Sequence, residues 1–388
     1  PMRGDIYPLG IFYGEITVGN PPVHFNISFD TGSTDLLIPA VGCTGCPKSK
    51  ESQNKYDPRS SITANVVTCP DATGTINCTT CIGGVCGFYN SYITCDLADE
   101  NARCNISGPI YTDTVSFGPG LSTKAHVGAI TSQTTNFDQM QQVDGIMGLA
   151  YWDPQGMPPT YNRSEGMAKP VIQELVDQHL MADMFAMCLN NDSGVLSLGD
   201  GDWKDLVAPQ GTVQWTPITF ERWYGIEVTK VLIDGKAAPV TAAELNEGTD
   251  GCSQDSGTNY LMLTNPGYNA VKTVFTSMCA DTMLVGVCNA EPNHTIFDGA
   301  CVPMTTAEMA RFPALSVEMS GGATVTATPF EYLIHSFDAK TRQAVVCLGL
   351  LPGTCLLGDI MMLNYVTIYD RGNQRLGFAP VNRNRCAQ

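Results

Sequence analysis

The chain has 388 residues, 43% of them hydrophobic and 15% charged, which excludes a disordered polypeptide. At this length two lobes are expected rather than one core. With 38 Asp and Glu against 21 Lys and Arg, the net charge is -17, which argues against nucleic acid or an anionic membrane as main partner. The same acidity keeps a protein soluble, and it suits acidic surroundings, where carboxylates protonate and self-repulsion falls.

In chain order, the first pattern is "YGEITVGNPPVHFNISFD", which alternates apolar and polar residues around a Gly-Asn-Pro-Pro turn and predicts a hairpin. It ends on Asp30-Thr31-Gly32-Ser33, a polar turn, and apolar alternation resumes through Leu36 and Ile38. Next comes a cysteine-dense insert, with eight of the 16 cysteines at 43, 46, 69, 78, 81, 86, 95 and 104. "VDGIMGLA" then places Ile146-Met147-Gly148 on an apolar strand. "KPVIQELVDQHLM" predicts a helix with Ile172, Leu175, Val176, His179 and Leu180 on one stripe. "WYGIEVTKVLIDGKAAPV" alternates again, with Asp234-Gly235 as a tight turn. "NPGYNAVKTVFTSM" predicts a second helix, with Pro266 near its start and Val271, Val274, Phe275 and Met278 on one face. The class is mostly β with a few short helices.

A lone Asp-Thr-Gly reads as an ordinary turn, because Asp favours turns. Here the pattern repeats. "CSQDSGTNYLMLT" carries Asp255-Ser256-Gly257-Thr258, which matches Asp30 to Ser33 in residue type at all four places, and Leu261 and Leu263 follow as Leu36 and Ile38 do. Each turn is followed at a distance by an apolar-apolar-Gly strand: Ile146-Met147-Gly148, and Leu356-Leu357-Gly358 in "CLLGDI". This is an internal duplication. It predicts an N-terminal lobe over 1–188 and a C-terminal lobe over 189–388, related by an approximate two-fold axis that would bring the acidic turns together at an interlobe cleft.

On these motifs the chain resembles the pepsin-like aspartic proteases. The two Asp-Thr/Ser-Gly turns, the two apolar-apolar-Gly elements, "VDGIMGLAY" and the ending "LLGDIMMLNYVTIYDRGNQRLGFAP" stand in family order along the whole chain. The resemblance implies a bilobal pepsin-like fold. It implies an aspartic endopeptidase in which Asp30 and Asp255 activate a water against the peptide bonds of extended polypeptides. Two like charges about 3 Å apart at an effective dielectric of ~20 repel by roughly 5 kcal/mol. The pair therefore keeps one proton over a wide acidic range. Gly32 and Gly257 allow close backbone approach, and Ser33 and Thr258 can donate to the outer carboxylate oxygens. In the family, the hydroxyls at Thr31 and Ser256 lock the turns together. A flap carrying a Tyr closes over the substrate; "CGFYNSYITCD" points to Tyr92, with Tyr89 as rival.

Three positions depart from the family pattern. Leu37 stands where many members carry a flap-bracing Trp. Gln254 precedes the second Asp, where an apolar residue is usual. Residues 93–108 read as a flap insertion pinned by Cys95 and Cys104. The insert from "VGCTGCPKSK" to "CGFYNSY" is similar to that of nepenthesins and plasmepsin V, which leaves a digestive or a secretory-pathway processing role open. Cys301 with Cys347 looks like the family's C-terminal bridge.

The even cysteine count and six Asn-X-Ser/Thr sequons, at Asn26, Asn77, Asn105, Asn162, Asn191 and Asn293, favour a secreted, lumenal or vacuolar glycoprotein. The start at Pro1 reads as the mature or trimmed form of a zymogen, and no apolar run is long enough for a membrane span. Cys43-X-X-Cys46 and Cys78-X-X-Cys81 also fit a zinc pattern, but disulfides fit the composition better, so no metal and no cofactor are expected. The expected partners are a polypeptide substrate and a statine-type peptidomimetic inhibitor, with the chain a monomer. The alternative is a catalytically silent relative that only binds or inhibits; such relatives commonly break one acidic turn, and both are intact here.

Overall fold

Alternation along the first hairpin becomes two paired strands in the computed structural model. This structure describes residues 1–7, 10–46, 54–69, 76, 78, 80–92, 104–134, 143–152, 168–248, 251–291, 293–338 and 340–387. Strands β1 (Ile11–Val18) and β2 (Val23–Asp30) run antiparallel, with Tyr13 opposite Ser28 and Val18 opposite Val23. Phe25 and Ile27 turn inward while His24 faces water, as the two-residue strand period requires. The chain divides into two units, one of Tyr13–Ala182 and one of Pro1–Phe12 with Asp183–Gln388. Both are mostly β with few short helices.

The first unit continues with β3 (Leu36–Thr44), β4 (Val85–Tyr92), β5 (Cys104–Ser116), β6 (Ser122–Gln133) and β7 (Gly145–Gly148). Strand β7 lies between β2 and β3. It is parallel to β2, with Gly148 opposite Asp30, and antiparallel to β3, with Met147 opposite Leu36. Strand β3 runs parallel to β6, with Leu37 opposite Gly128, and β6, β5 and β4 follow antiparallel. Leu37, Phe88, Ile106, Ile110 and Ile130 fill one buried cluster beneath them. Side chains of this size each stabilise the fold by about 1.5–3 kcal/mol on burial.

Helix α1 (Val171–Asp177) buries Ile172 and Leu175 but is shorter than the stripe predicts. His179 takes a left-handed backbone (φ 56), and Leu180 is 41% exposed. Leu180 N donates to Leu175 O at 2.9 Å and His179 N to Val176 O at 2.9 Å. These two bonds form a Schellman closure, which satisfies the last carbonyls and turns the chain away before the stripe can continue.

The second unit contains β8 (Phe185–Leu189), β9 (Val228–Ile233), β10 (Cys252–Gln254), β11 (Leu261–Leu263), α2 (Asn265–Met278), β12 (Leu350–Pro352), β13 (Leu356–Leu357), β14 (Tyr365–Asp370) and β15 (Arg375–Pro380). Asp234 and Gly235 both have positive φ, at 46° and 75°, and the chain returns against β9 through Lys236. Mirror-type turns of this kind match strand twist. In α2 the Thr264 hydroxyl accepts from Gly267 N, Pro266 sits at the start where no amide donor is needed, and Val271 and Phe275 are buried.

Among the described residues the disulfides are Cys43–Cys46, Cys69–Cys81, Cys78–Cys86, Cys188–Cys386, Cys252–Cys355, Cys279–Cys288 and Cys301–Cys347. The four thiols of the zinc alternative are thus each paired in a disulfide, with Cys78 on Cys86 and Cys81 on Cys69. The pairing of Cys95 with Cys104 lies outside the described residues. No helix among the described residues is long and apolar enough to cross a membrane.

Candidate active site

Each acidic turn is clamped by the strand that follows it at a distance. Gly148 N donates to Asp35 O at 2.9 Å, and Gly358 N donates to Tyr260 O at 3.1 Å. A Cβ on Gly148 would stand 2.3 Å from Thr34 N, and one on Gly358 would stand 2.2 Å from Thr258 O. Only glycine permits this approach. The registers also repeat. Met147 is opposite Leu36 and Ile146 opposite Leu37, as Leu357 is opposite Leu261 and Leu356 opposite Met262.

The carboxyls inside the two turns are held alike. Asp30 Oδ1 accepts from Gly32 N at 2.8 Å and Oδ2 from Ser33 Oγ at 2.5 Å. Asp255 Oδ1 accepts from Gly257 N at 2.8 Å and Oδ2 from Thr258 Oγ1 at 3.0 Å. Asp30 is buried and Asp255 half-buried. Thr31 and Ser256 are both buried. In each turn a backbone amide and a hydroxyl fix the rotation of the carboxyl.

Strands β4 and β5 form the hairpin expected to carry the flap Tyr. The backbone of Tyr92 is opposite Cys104 and that of Tyr89 opposite Ser107. Tyr89 is 44% exposed; the side chain of Tyr92 lies outside the described residues. Residues 104–108, read from sequence as part of an insertion, belong to the paired strand β5; residues 93–103 lie outside the described residues. Leu37 is buried in the cluster that holds Phe88. Gln254 is also buried, and its Nε2 donates to Leu357 O at 2.6 Å, so the neighbouring strand accommodates the polar side chain.

Of the sequons, Asn26 and Asn105 lie on β2 and β5, and Asn191 and Asn293 on exposed turns; Asn77 and Asn162 lie outside the described residues.

The sequence motifs do not mark Asp35. Its carboxyl is 6% exposed, accepts from Asn90 Nδ2 and from Ala168 N, both at 3.2 Å, and is pushed up to about 6 by burial. Alignment of the two half-motifs contains the signal: Asp35 stands where the second half has Tyr260.

Comparison with known proteins agrees with these features. The family profile described as "Eukaryotic aspartyl protease" matches residues 11–71 and 100–381. The chain is 24% identical to cathepsin E of Aquarana catesbeiana, over 95% of this chain and 79% of that protein. It is 25% identical to pepsin-2B of Gadus morhua, over 95% of both chains, and 26% identical to pepsin A of Sus scrofa, over 95% and 81%. With the profile matched along most of its length and the acidic turns built alike in both halves, the chain belongs to the eukaryotic aspartyl protease family.

Proposed function

We propose that Asp30 and Asp255 work as one pair of carboxyls that hydrolyses peptide bonds in extended polypeptides. The observation that supports this is the duplicated hydrogen bonding: in each turn the same two donor types meet the same two carboxylate oxygens. A group oriented before substrate arrives needs no reorganisation during reaction. The ionised carboxyl takes a proton from water as its oxygen attacks the carbonyl carbon. The protonated carboxyl gives its proton to the carbonyl oxygen. Collapse of the tetrahedral intermediate returns a proton to the leaving amine, so one water is consumed per bond broken. Aspartic-protease dyads are the established case of two carboxyls sharing one proton, and the apparent pKa values belong to the pair.

In this reading Thr31 and Ser256 hold the turns, and Gly32, Gly257, Ser33 and Thr258 orient the carboxyls. Tyr92 acts from the flap, which excludes water as it closes. The disulfides require an oxidising compartment, so the enzyme works as a secreted or secretory-pathway protein, digestive or processing. It acts as a monomer on polypeptide substrates and is blocked by statine-type inhibitors.

The test is hydrolysis of an unfolded protein between pH 3 and 6. Activity is expected to be abolished by a statine-type inhibitor and by Asp30→Ala or Asp255→Ala alone. Activity that survives either substitution removes the mechanism; no activity in the natural chain, with binding of peptides retained, makes it a silent binding relative.

A further inference from the structure

We propose that Asp35 is a positioning residue for the flap: through Asn90, its carboxyl ties the acidic-turn loop to strand β4, two residues before the candidate flap residue Tyr92. The inference rests on the proteolytic reading and adds a residue to it.

The two oxygens of Asp35 are used by groups remote in sequence. Oδ2 accepts from Asn90 Nδ2, 55 residues away, and Oδ1 from Ala168 N, 133 residues away. One carboxyl therefore joins the turn loop, the flap strand and the segment leading into α1. Asn90 itself is 7% exposed. Among the described residues, the groups acting on the carboxyl are Asn90, the Ala168 amide and the Thr34 hydroxyl, with no charged side chain. Burying an uncompensated carboxyl is costly, so a mere space-filler here would be apolar.

The duplication isolates what the carboxyl adds. The backbone carbonyl of Asp35 accepts from Gly148 as that of Tyr260 accepts from Gly358, so this duty is common to both halves. The side-chain tie is found in the half that contains the β4–β5 hairpin. It acts beside an apolar one: Leu37 and Phe88 meet above Gly128, where an added Cβ would strike both. Positions 35 and 37 thus grip positions 90 and 88, successive places on one face of β4.

Steady-state kinetics on a peptide substrate, with active enzyme counted by inhibitor titration, tests the tie. Asp35→Ala and Asn90→Ala are each expected to raise KM about 10-fold with kcat within about threefold, and together to act no worse than either alone. The exchanged pair D35N/N90D restores the bonds. An amide at position 35 can accept from Ala168 N through its oxygen, while its nitrogen donates to the carboxylate placed at position 90. This variant is expected to return KM to within about threefold of the natural chain. Amide hydrogen exchange gives a reading without catalysis: protection should fall about 10-fold over 85–92 and 104–110 in the single variants, but not in α1, and return in the exchanged pair. Unchanged KM in the single variants, exchange accelerated throughout the unit, or an exchanged pair no better than the singles would each overturn the proposal. If the natural chain lacks acid proteolysis, the proteolytic reading fails by itself, and the exchange measurement still decides the tie.

Discussion

Asp113 accepts the hydroxyl of Tyr56 on Oδ2 at 2.9 Å, inside a fully buried site. Its Oδ1 takes Ser61 Oγ at 3.0 Å, Thr63 Oγ1 at 2.6 Å and Thr114 N at 2.8 Å. This carboxyl on β5 is the polar anchor of the segment 54–66, which lies within the cysteine-rich insert. Burial, and then the charge of Asp113, push the Tyr56 hydroxyl well above its usual range, so it stays a donor. Asp113→Ala leaves four donors, one buried and three partly buried, without this acceptor and is expected to cost about 3–5 kcal/mol, whereas Tyr56→Phe removes one bond and costs about 1–2 kcal/mol. Urea unfolding of both variants checks the ranking; equal losses would sink it.

Asp35 makes stability depend on pH. Its folded value of about 6 lies above the ordinary 3.8, with burial as the cause. A carboxyl raised on folding binds its proton more tightly in the folded state. Its contribution is therefore complete below about pH 4 and is lost as pH rises through 6. A shift of about two units corresponds to roughly 3 kcal/mol. Urea midpoints at pH 4, 5, 6 and 7 should fall in the natural chain by more than in Asp35→Asn, which has no proton to lose. Parallel curves for the two proteins would refute the linkage.

The hydroxyls of Ser33 and Thr258 are expected to orient the acidic pair. Each donates to a carboxylate oxygen and so fixes the rotation of its carboxyl. Ser33→Ala or Thr258→Ala removes that donor, so kcat should fall about 10-fold on a peptide substrate. Unchanged kcat in both variants contradicts the assignment.

The two clamping glycines should fail alike. Alanine at Gly148 or Gly358 places a methyl within 2.3 Å of backbone in the turn it covers. Backbone cannot rotate aside as a side chain can, so each variant is expected to lose about 3 kcal/mol and most of its activity. Thermal unfolding and peptide hydrolysis measure both. A tolerated alanine in one half only would mean that the two turns are not equivalent.

Much of this was legible in order along the chain. The hairpin over β1 and β2, the helix α2 with its early proline, and the two acidic turns were readable because strand alternation, helix starts and turn chemistry involve residues within a few positions of one another. The duplication was readable because Asp30 to Ser33 and Asp255 to Thr258 repeat in type. The stripe through His179 and Leu180 misled, since a Schellman closure depends on backbone conformation and not on hydrophobicity.

By itself, then, the amino-acid order determined the β class, the repeated half-motif and the two aspartates, all local patterns. Only the folded chain decided that Cys78 bonds Cys86, that Gln254 finds a carbonyl on β13, and that Asp35 meets Asn90 and Ala168. The physical reason is that a disulfide partner or a donor to a buried carboxyl is chosen by distance in space, and residues 55 and 133 positions apart carry no local mark of their meeting.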